Sequence, residues 1–268
     1  MANVRHGPHR APKTRIVDTS GIANAASYGW SSTNWSGYAI SSDVNGTYKS
    51  VTASWKVPTV KPPSGTQSSS LWGWLGRWLA SLFGVGPSSS DAYSATWIGI
   101  DGFTNSNLIQ AGTAQNIVNG SPQYYAWWEI LPAAETEISP VEYPVSGGDV
   151  MAVSIAQQGD GTWQIQLQNQ TRGWTFTKSG IQYTGPQTSV EWIEEAPEVN
   201  GSVTALANYG EVYFTNLTVN GANPHLQLSE AGIMVQNSQQ VSTPSAPGPS
   251  LNDFNIQDGA AQPPAPTV

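Results

Sequence analysis

Apolar and polar residues alternate most cleanly from Thr162 to Gln168, where Trp163, Ile165 and Leu167 fall on one side and Gln164, Gln166 and Gln168 on the other. A two-residue period of this kind is the mark of a half-buried strand, one side in the core and the other wet. The run extends over Trp163–Asn169, and further runs of strand character cover Trp35–Ser41, Tyr48–Val57, Ala92–Ile100, Leu108–Thr113, Gln123–Leu131, Asp149–Gln157, Thr175–Ile181, Ser189–Glu195 and Val212–Val219. Most are separated by turn signals: Asn45-Gly46, Gly147-Gly148-Asp149, Gly159-Asp160-Gly161, Arg172-Gly173 and Asn220-Gly221. About ten antiparallel strands at this spacing predict an all-β fold, an antiparallel β-sandwich of two curved sheets.

One segment keeps a different period. Leu71, Trp72, Trp74, Leu75, Trp78, Leu79, Leu82 and Phe83 recur at helical intervals, which predicts a short Trp-rich helical insertion over 71–83 between two Ser/Gly/Pro-rich linkers. At roughly 14 residues it is too short to span a bilayer. Three roles stay open for it: packing on the domain, forming a flap over a cleft, or making a surface or membrane contact.

The ends differ from the middle. Residues 1–27 are basic, then polar, without periodicity, and suit a flexible leader or the remnant of a pro-segment; no apolar signal-peptide core is visible in them. Residues 28–258 hold the predicted sandwich, and the Ala/Pro-rich tail 259–268 is expected to be disordered.

Composition narrows the chemistry. The chain has 268 residues, 38% hydrophobic and 10% charged, enough for one sizeable domain. Arg5, Arg10, Lys13 and Arg15 against Asp18 give the first twenty residues +3, so the remainder, with 6 basic and 17 acidic residues, carries −11. That charge disfavours nucleic acid as a partner. In acid most carboxylates are neutral, and the few Lys and Arg with His225 leave little self-repulsion. With no cysteine, thiol catalysis, thiolate metal sites and disulfides are excluded. His6, His9 and His225 lie in the leader or far downstream, poor material for a serine triad or a zinc site. No metal and no cofactor are expected.

What remains is an amide and carboxylates on predicted strands. Gln110, in Leu108-Ile-Gln-Ala-Gly112, offers an NH2 to a developing oxyanion, and Glu195 or its neighbour, in Val190-Glu-Trp-Ile-Glu-Glu195, offers a base for water. Period two puts Glu191, Ile193 and Glu195 on one face and Trp192 and Glu194 on the other, and alternation alone does not say which face borders a cleft.

Seven short stretches occur in the order found in the glutamic peptidases, the eqolisin family, and the chain resembles that family over about residues 33–220. They are Asn34-Trp-Ser-Gly37, Thr52-Ala-Ser-Trp-Lys-Val-Pro58, Thr96-Trp-Ile-Gly-Ile-Asp-Gly102, Leu108-Ile-Gln-Ala-Gly112, Tyr125-Ala-Trp-Trp-Glu129, Glu191-Trp-Ile-Glu-Glu195 and Val212-Tyr-Phe-Thr-Asn216. The resemblance implies a concanavalin-like sandwich of two seven-stranded sheets and an acid-acting endopeptidase working on polypeptides without a covalent intermediate. It also implies a catalytic pair, matched by Gln110 and Glu195, with Trp35, Trp97, Trp127 and Glu129 as substrate-binding residues. Extracellular action is implied too, and a monomer is expected. Ala114 and Tyr125 stand where better-known fungal members carry aspartates, which puts the acidic surroundings of the pair, and with them the pH optimum, in question. The alternative is a carbohydrate-binding or glycan-hydrolysing sandwich using Glu129 and Glu195 as its carboxyl pair, for which Gln110 would be incidental.

Overall fold

A computed structural model describes residues 4–5, 27–61 and 91–267. The predicted helix over 71–83 and almost all of the leader lie outside the described residues. Among those described, the strands are β1 (Val4–Arg5), β2 (Trp30–Ser32), β3 (Trp35–Ser41), β4 (Ser50–Lys56), β5 (Ala95–Ile100), β6 (Ile109–Val118), β7 (Ser121–Ile130), β8 (Thr136–Glu137) and β9 (Val150–Gln157). They continue with β10 (Trp163–Asn169), β11 (Trp174–Ile181), β12 (Ser189–Glu195), β13 (Glu198–Val199), β14 (Ser202–Val203), β15 (Glu211–Val219), β16 (Ala231–Gln236), β17 (Gln239–Pro244) and β18 (Phe254–Asp258).

The ladder runs β11-β10-β9-β4-β15-β18-β17-β16-β3-β12-β5-β6-β7-β8. It turns a corner at β16, which pairs through Met234–Gln236 with β17 and through Ala231–Gly232 with β3. One strand thus serves both layers, and the ladder divides into halves of seven. The halves face each other: the Trp55 indole of β4 donates to Thr113 Oγ1 of β6 at 3.1 Å, that of Trp192 in β12 donates to the Thr52 carbonyl of β4 at 3.0 Å, and Lys178 of β11 lies over the Trp128 ring of β7. The antiparallel sandwich expected from the alternation is the observed architecture.

Burial follows the predicted parity. In β10, Trp163, Ile165 and Leu167 are buried while Gln166 and Gln168 are exposed, and most of the apolar side chains enter one core between the halves. The β6–β7 hairpin is longer than the sequence reading had it, because Asn119 and Gly120 both take positive φ (52° and 75°) and form the two-residue turn that this geometry requires. Strands β16–β18 were not anticipated. The tail expected to be disordered is ordered over 259–267: Thr243 Oγ1 donates to the Gly259 carbonyl at 2.7 Å, Asn255 Nδ2 to that of Pro264 at 3.1 Å, and Pro263 is buried. Backbone acceptors left over by the Pro-rich sequence are used by side chains of β17 and β18, which is what fixes it.

Candidate active site

In an antiparallel ladder, residues directly opposite each other project from the same face. The register of β3, β12, β5, β6 and β7 therefore lines up three rungs on the face turned away from the main core. The first is Ala39–Glu191–Gly99–Gln110–Glu129, the second Gly37–Ile193–Trp97–Gly112–Trp127, and the third Trp35–Glu195–Ala95–Ala114–Tyr125. All six residues singled out from the sequence, Gln110, Glu195, Trp35, Trp97, Trp127 and Glu129, share this face. The opposite face carries Trp192, Ile98 and Ala111 into the core between the halves.

Within the face the residues are not all together. Gln110 and Glu129 are neighbours, the Gln110 amide donating from Nε2 to Glu129 Oε2 at 2.6 Å. Glu195 is two strands and four residues away from Gln110, a backbone separation of roughly 16 Å at ordinary strand spacings. Between them stands the Trp97 indole. Its Nε1 donates to Glu195 Oε2 at 2.7 Å, and its far edge reaches Gly99, where a Cβ would lie 2.9 Å from Trp97 Cζ3 and from Leu108 Cδ1. The other Glu195 oxygen accepts from Asn34 Nδ2 at 3.1 Å. The pairing of Gln110 with Glu195 expected from the sequence is thus not brought about by the register.

Glu191 is the carboxylate that faces Gln110. The two occupy one rung with only Gly99 between them, a backbone separation of about 10 Å, and the missing side chain at Gly99 leaves their heads directed over the same floor. Alternation along the sequence gives Glu191 and Glu195 the same face and does not separate them. The signal that picks out Glu191 is the register through Gly99, a pairing between residues about ninety positions apart.

Glycines shape the second rung as well. A Cβ at Gly112 would collide with the Thr96 carbonyl and the base of Trp97, so the bulk of Trp97 and Trp127 is accommodated by having no side chain between them. Trp35, Ala95, Trp97, Leu108, Ala114, Trp127 and Ile193 form a small hydrophobic cluster apart from the main core, with Trp30, Tyr125 and Leu131 packed on it. Trp35 and Trp97 meet edge to face with centroids 4.9 Å apart. Gln110, Glu129, Glu191 and Glu195 are all fully buried beneath this layer.

Asp101 also belongs to the site's framework. It is buried with φ 69°, and accepts from the Tyr183 hydroxyl at 2.7 Å, the backbone N–H of Gln187 and of Thr188 at 2.8 Å each, and Asn105 Nδ2 at 2.9 Å. It ties the β5–β6 loop, which leads to Gln110, to the segment that leads to Glu191. At the far rung Tyr125 donates to Glu135 Oε1 at 2.8 Å, and burial followed by the Glu135 charge pushes its phenol well above the ordinary value.

On the core face of β12, Glu194 is fully buried and accepts from Thr96 Oγ1 at 2.6 Å, and the Thr96 oxygen in turn accepts from Gln115 Nε2 at 2.7 Å. Burial raises the Glu194 carboxyl to about 8, offset in part by the hydrogen bond from Thr96. The carboxyl pair of the glycan reading is not assembled. Glu129 and Glu195 are three strands and four residues apart, roughly 20 Å between backbones, whereas retaining and inverting glycosidases hold their carboxyls about 5 to 9.5 Å apart. No group of three or more metal-binding side chains is found among the described residues.

The family model described as the Peptidase A4 family matches residues 33–251. Aspergillopepsin-2 of Aspergillus niger is 30% identical over 208 residues, which cover 76% of this chain and 70% of that protein. Scytalidopepsin B of Scytalidium lignicola is 27% identical over 183 residues, 62% of this chain and 68% of that one. The solved structure of scytalido-glutamic peptidase with a transition state analog inhibitor shares the fold with a TM-score of 0.61 at 22% identity, covering 84% of this chain and 98% of that one. Aspergilloglutamic peptidase from Aspergillus niger superposes with a TM-score of 0.53 at 24% identity, covering 62% and 99%.

Proposed function

The chain belongs to the Peptidase A4 family and is a glutamic endopeptidase, and from that premise we propose that Glu191 and Gln110 are its catalytic pair, with Glu129 holding the Gln110 amide. The observation that carries this reading is the single rung Glu191–Gly99–Gln110–Glu129. Glu191 takes a proton from a water, the resulting hydroxide attacks the scissile carbonyl carbon, and the Gln110 NH2 donates to the oxygen as it becomes negative. Glu191 then returns the proton to the leaving amine, the C–N bond breaks, and acid and amine products depart with no bond to the enzyme. A glutamate can act in both directions, as base toward the water and then as acid toward the leaving amine. An amide donor aimed at an oxyanion is worth on the order of 10²- to 10³-fold in rate. Because the pair is buried, a peptide reaches it only when part of the aromatic layer above the rung moves, and closure behind the substrate would keep bulk water out.

Trp35, Trp97 and Trp127 line the chamber in this proposal, and the substrates are polypeptides cleaved in acid, outside the cell. Glu195 is not the base. Residues 1–27 are proposed as a removable leader; the backbone of Val4–Arg5 pairs with Glu198–Val199, just beyond the end of β12.

The test is cleavage of a denatured protein at pH 3 to 5 by Glu191→Gln and Gln110→Ala, with circular dichroism confirming the fold. Loss of about 10²-fold or more in each is expected. Wild-type activity in either would overturn the assignment.

A further inference from the structure

Glu195 lies on the same face of the same strand as Glu191, and the proposed reaction does not use it. Its two oxygens hold two different walls. Oε2 accepts the Trp97 indole N–H at 2.7 Å, and Oε1 accepts Asn34 Nδ2 at 3.1 Å. Asn34 is itself fixed from the other side, its Oδ1 accepting from Ser32 Oγ at 3.0 Å, while Ser32 Oγ accepts the backbone N–H of Asn34 and of Trp35 at 3.2 and 3.1 Å. All of these groups are buried. The chain Ser32–Asn34–Glu195–Trp97 therefore joins the β2–β3 turn to the ring that reaches the floor at Gly99.

We propose that Glu195 is a positioning residue for peptide hydrolysis, anchoring the Trp97 indole so that its edge stops over Gly99, beside Leu108, and goes no further toward Glu191 or Gln110. This rests on the assignment of Glu191 and Gln110 as the catalytic pair. An indole has one N–H and no acceptor, so its orientation in a buried site is set by whichever acceptor that N–H meets. Released from Glu195, the ring edge that already lies over Gly99 beside Leu108 can move further along the rung, between Glu191 and Gln110. There it would occupy the place of the attacking water. The damage would fall on turnover rather than on binding, since substrate contacts away from the reacting carbonyl do not involve this edge of the ring.

Three readouts test the idea together: kcat and KM at pH 4 on a fluorogenic peptide, the indole ¹H–¹⁵N resonance of Trp97 assigned by Trp97→Phe, and circular dichroism. Glu195→Ala should lower kcat by about 10- to 100-fold with KM within about threefold of wild type. Glu195→Gln should recover most of that loss. Its amide oxygen still accepts the indole N–H, and its NH2 faces Asn34, whose own amide can turn over to present Oδ1. The indole resonance should shift in both variants and stay in place in Glu191→Gln.

If Glu195→Ala does not fold, the cycle of Trp97→Phe, Glu195→Met and the double variant decides: Glu195→Met removes the acceptor and should lower kcat by itself, whereas without an indole N–H to hold it should cost nothing further. Wild-type kcat and an unmoved indole resonance in Glu195→Ala, or full additivity in the cycle, would sink the positioning role while leaving the catalytic pair intact. Inactive Glu195→Gln beside active Glu191→Gln would sink both.

Discussion

Glu194→Gln should remove most of a stability loss that the wild-type protein suffers as pH rises. The Glu194 carboxyl is fully buried on the core face of β12, with Thr96 Oγ1 donating at 2.6 Å; Asp258 and Glu195 are acids whose charges act on it, and the Tyr209 phenol faces it. Burial raises its pKa from 4.5 to about 8. The unfolded chain releases this proton near 4.5 and the folded chain keeps it until about 8, so between those values the unfolded state binds fewer protons and stability falls as pH rises. The contribution is whole below pH 4.5 and lost above about 8. At about 1.4 kcal/mol per pH unit, the loss is about 3 kcal/mol by pH 7 and on the order of 5 across the whole window. A domain has only about 5 to 15 kcal/mol in total, so the acid is a large lever. Asp258, half-buried and raised from 3.8 to about 6 by desolvation, adds a fall of the same sign over a lower window. The assay is urea unfolding from pH 3 to 8 in a Glu191→Gln background, which prevents self-digestion. Glutamine keeps an oxygen for Thr96 and cannot ionise, so the variant should be nearly flat above pH 6, while the parent keeps losing stability to pH 8. Equal slopes in the two proteins between pH 6 and 8 would refute the assignment of that fall to Glu194.

Other positions give sharper readouts of individual contacts. Gly99→Ala puts a Cβ 2.9 Å from both Trp97 Cζ3 and Leu108 Cδ1, directly between the proposed catalytic side chains, and kcat should fall about 100-fold with the circular dichroism spectrum unchanged. Asp101→Ala strips the acceptor from Tyr183, Asn105 and two backbone N–H groups in a buried loop and should cost about 3 kcal/mol or more, read as a lower urea midpoint. Tyr125→Phe removes the hydroxyl that Glu135 accepts and should cost about 1 kcal/mol in the same assay, with kcat unchanged because that rung lies two beyond Gln110.

Strands in both halves of the sandwich were legible. Trp35–Ser41, Trp163–Asn169 and Ser189–Glu195 were bounded correctly: the second alternates strictly, and the other two lie in stretches rich in aromatic and β-branched or small residues. Strands β16 to β18 were missed for a physical reason: Ala231–Met234 is buried at every position, so its alternation disappears, and β17 and β18 mix Ser, Gln, Asn and Pro into short runs that read as loop. Asn119-Gly120 was a usable turn signal that would have given β6 its full length. Gln110 could be named from its surroundings in the sequence, whereas the choice between Glu191 and Glu195 could not. The two are four residues apart, period two gives them the same face, and only the pairing of β12 with β5 says which one lies opposite the glycine.

Three carboxyl groups on the seven residues of β12 thus come to three different ends, and position in the sheet, rather than residue type, separates them. Glu194 points to the core, where no water reaches it and the neutral form is favoured, so it limits the folded state at high pH. Glu191 and Glu195 point to the opposite face, but Glu195 meets an indole and an amide that occupy its two oxygens, while Glu191 lies across a glycine from Gln110. The same strand therefore carries both the carboxyl group that makes the fold most stable in acid and the one proposed here as the base.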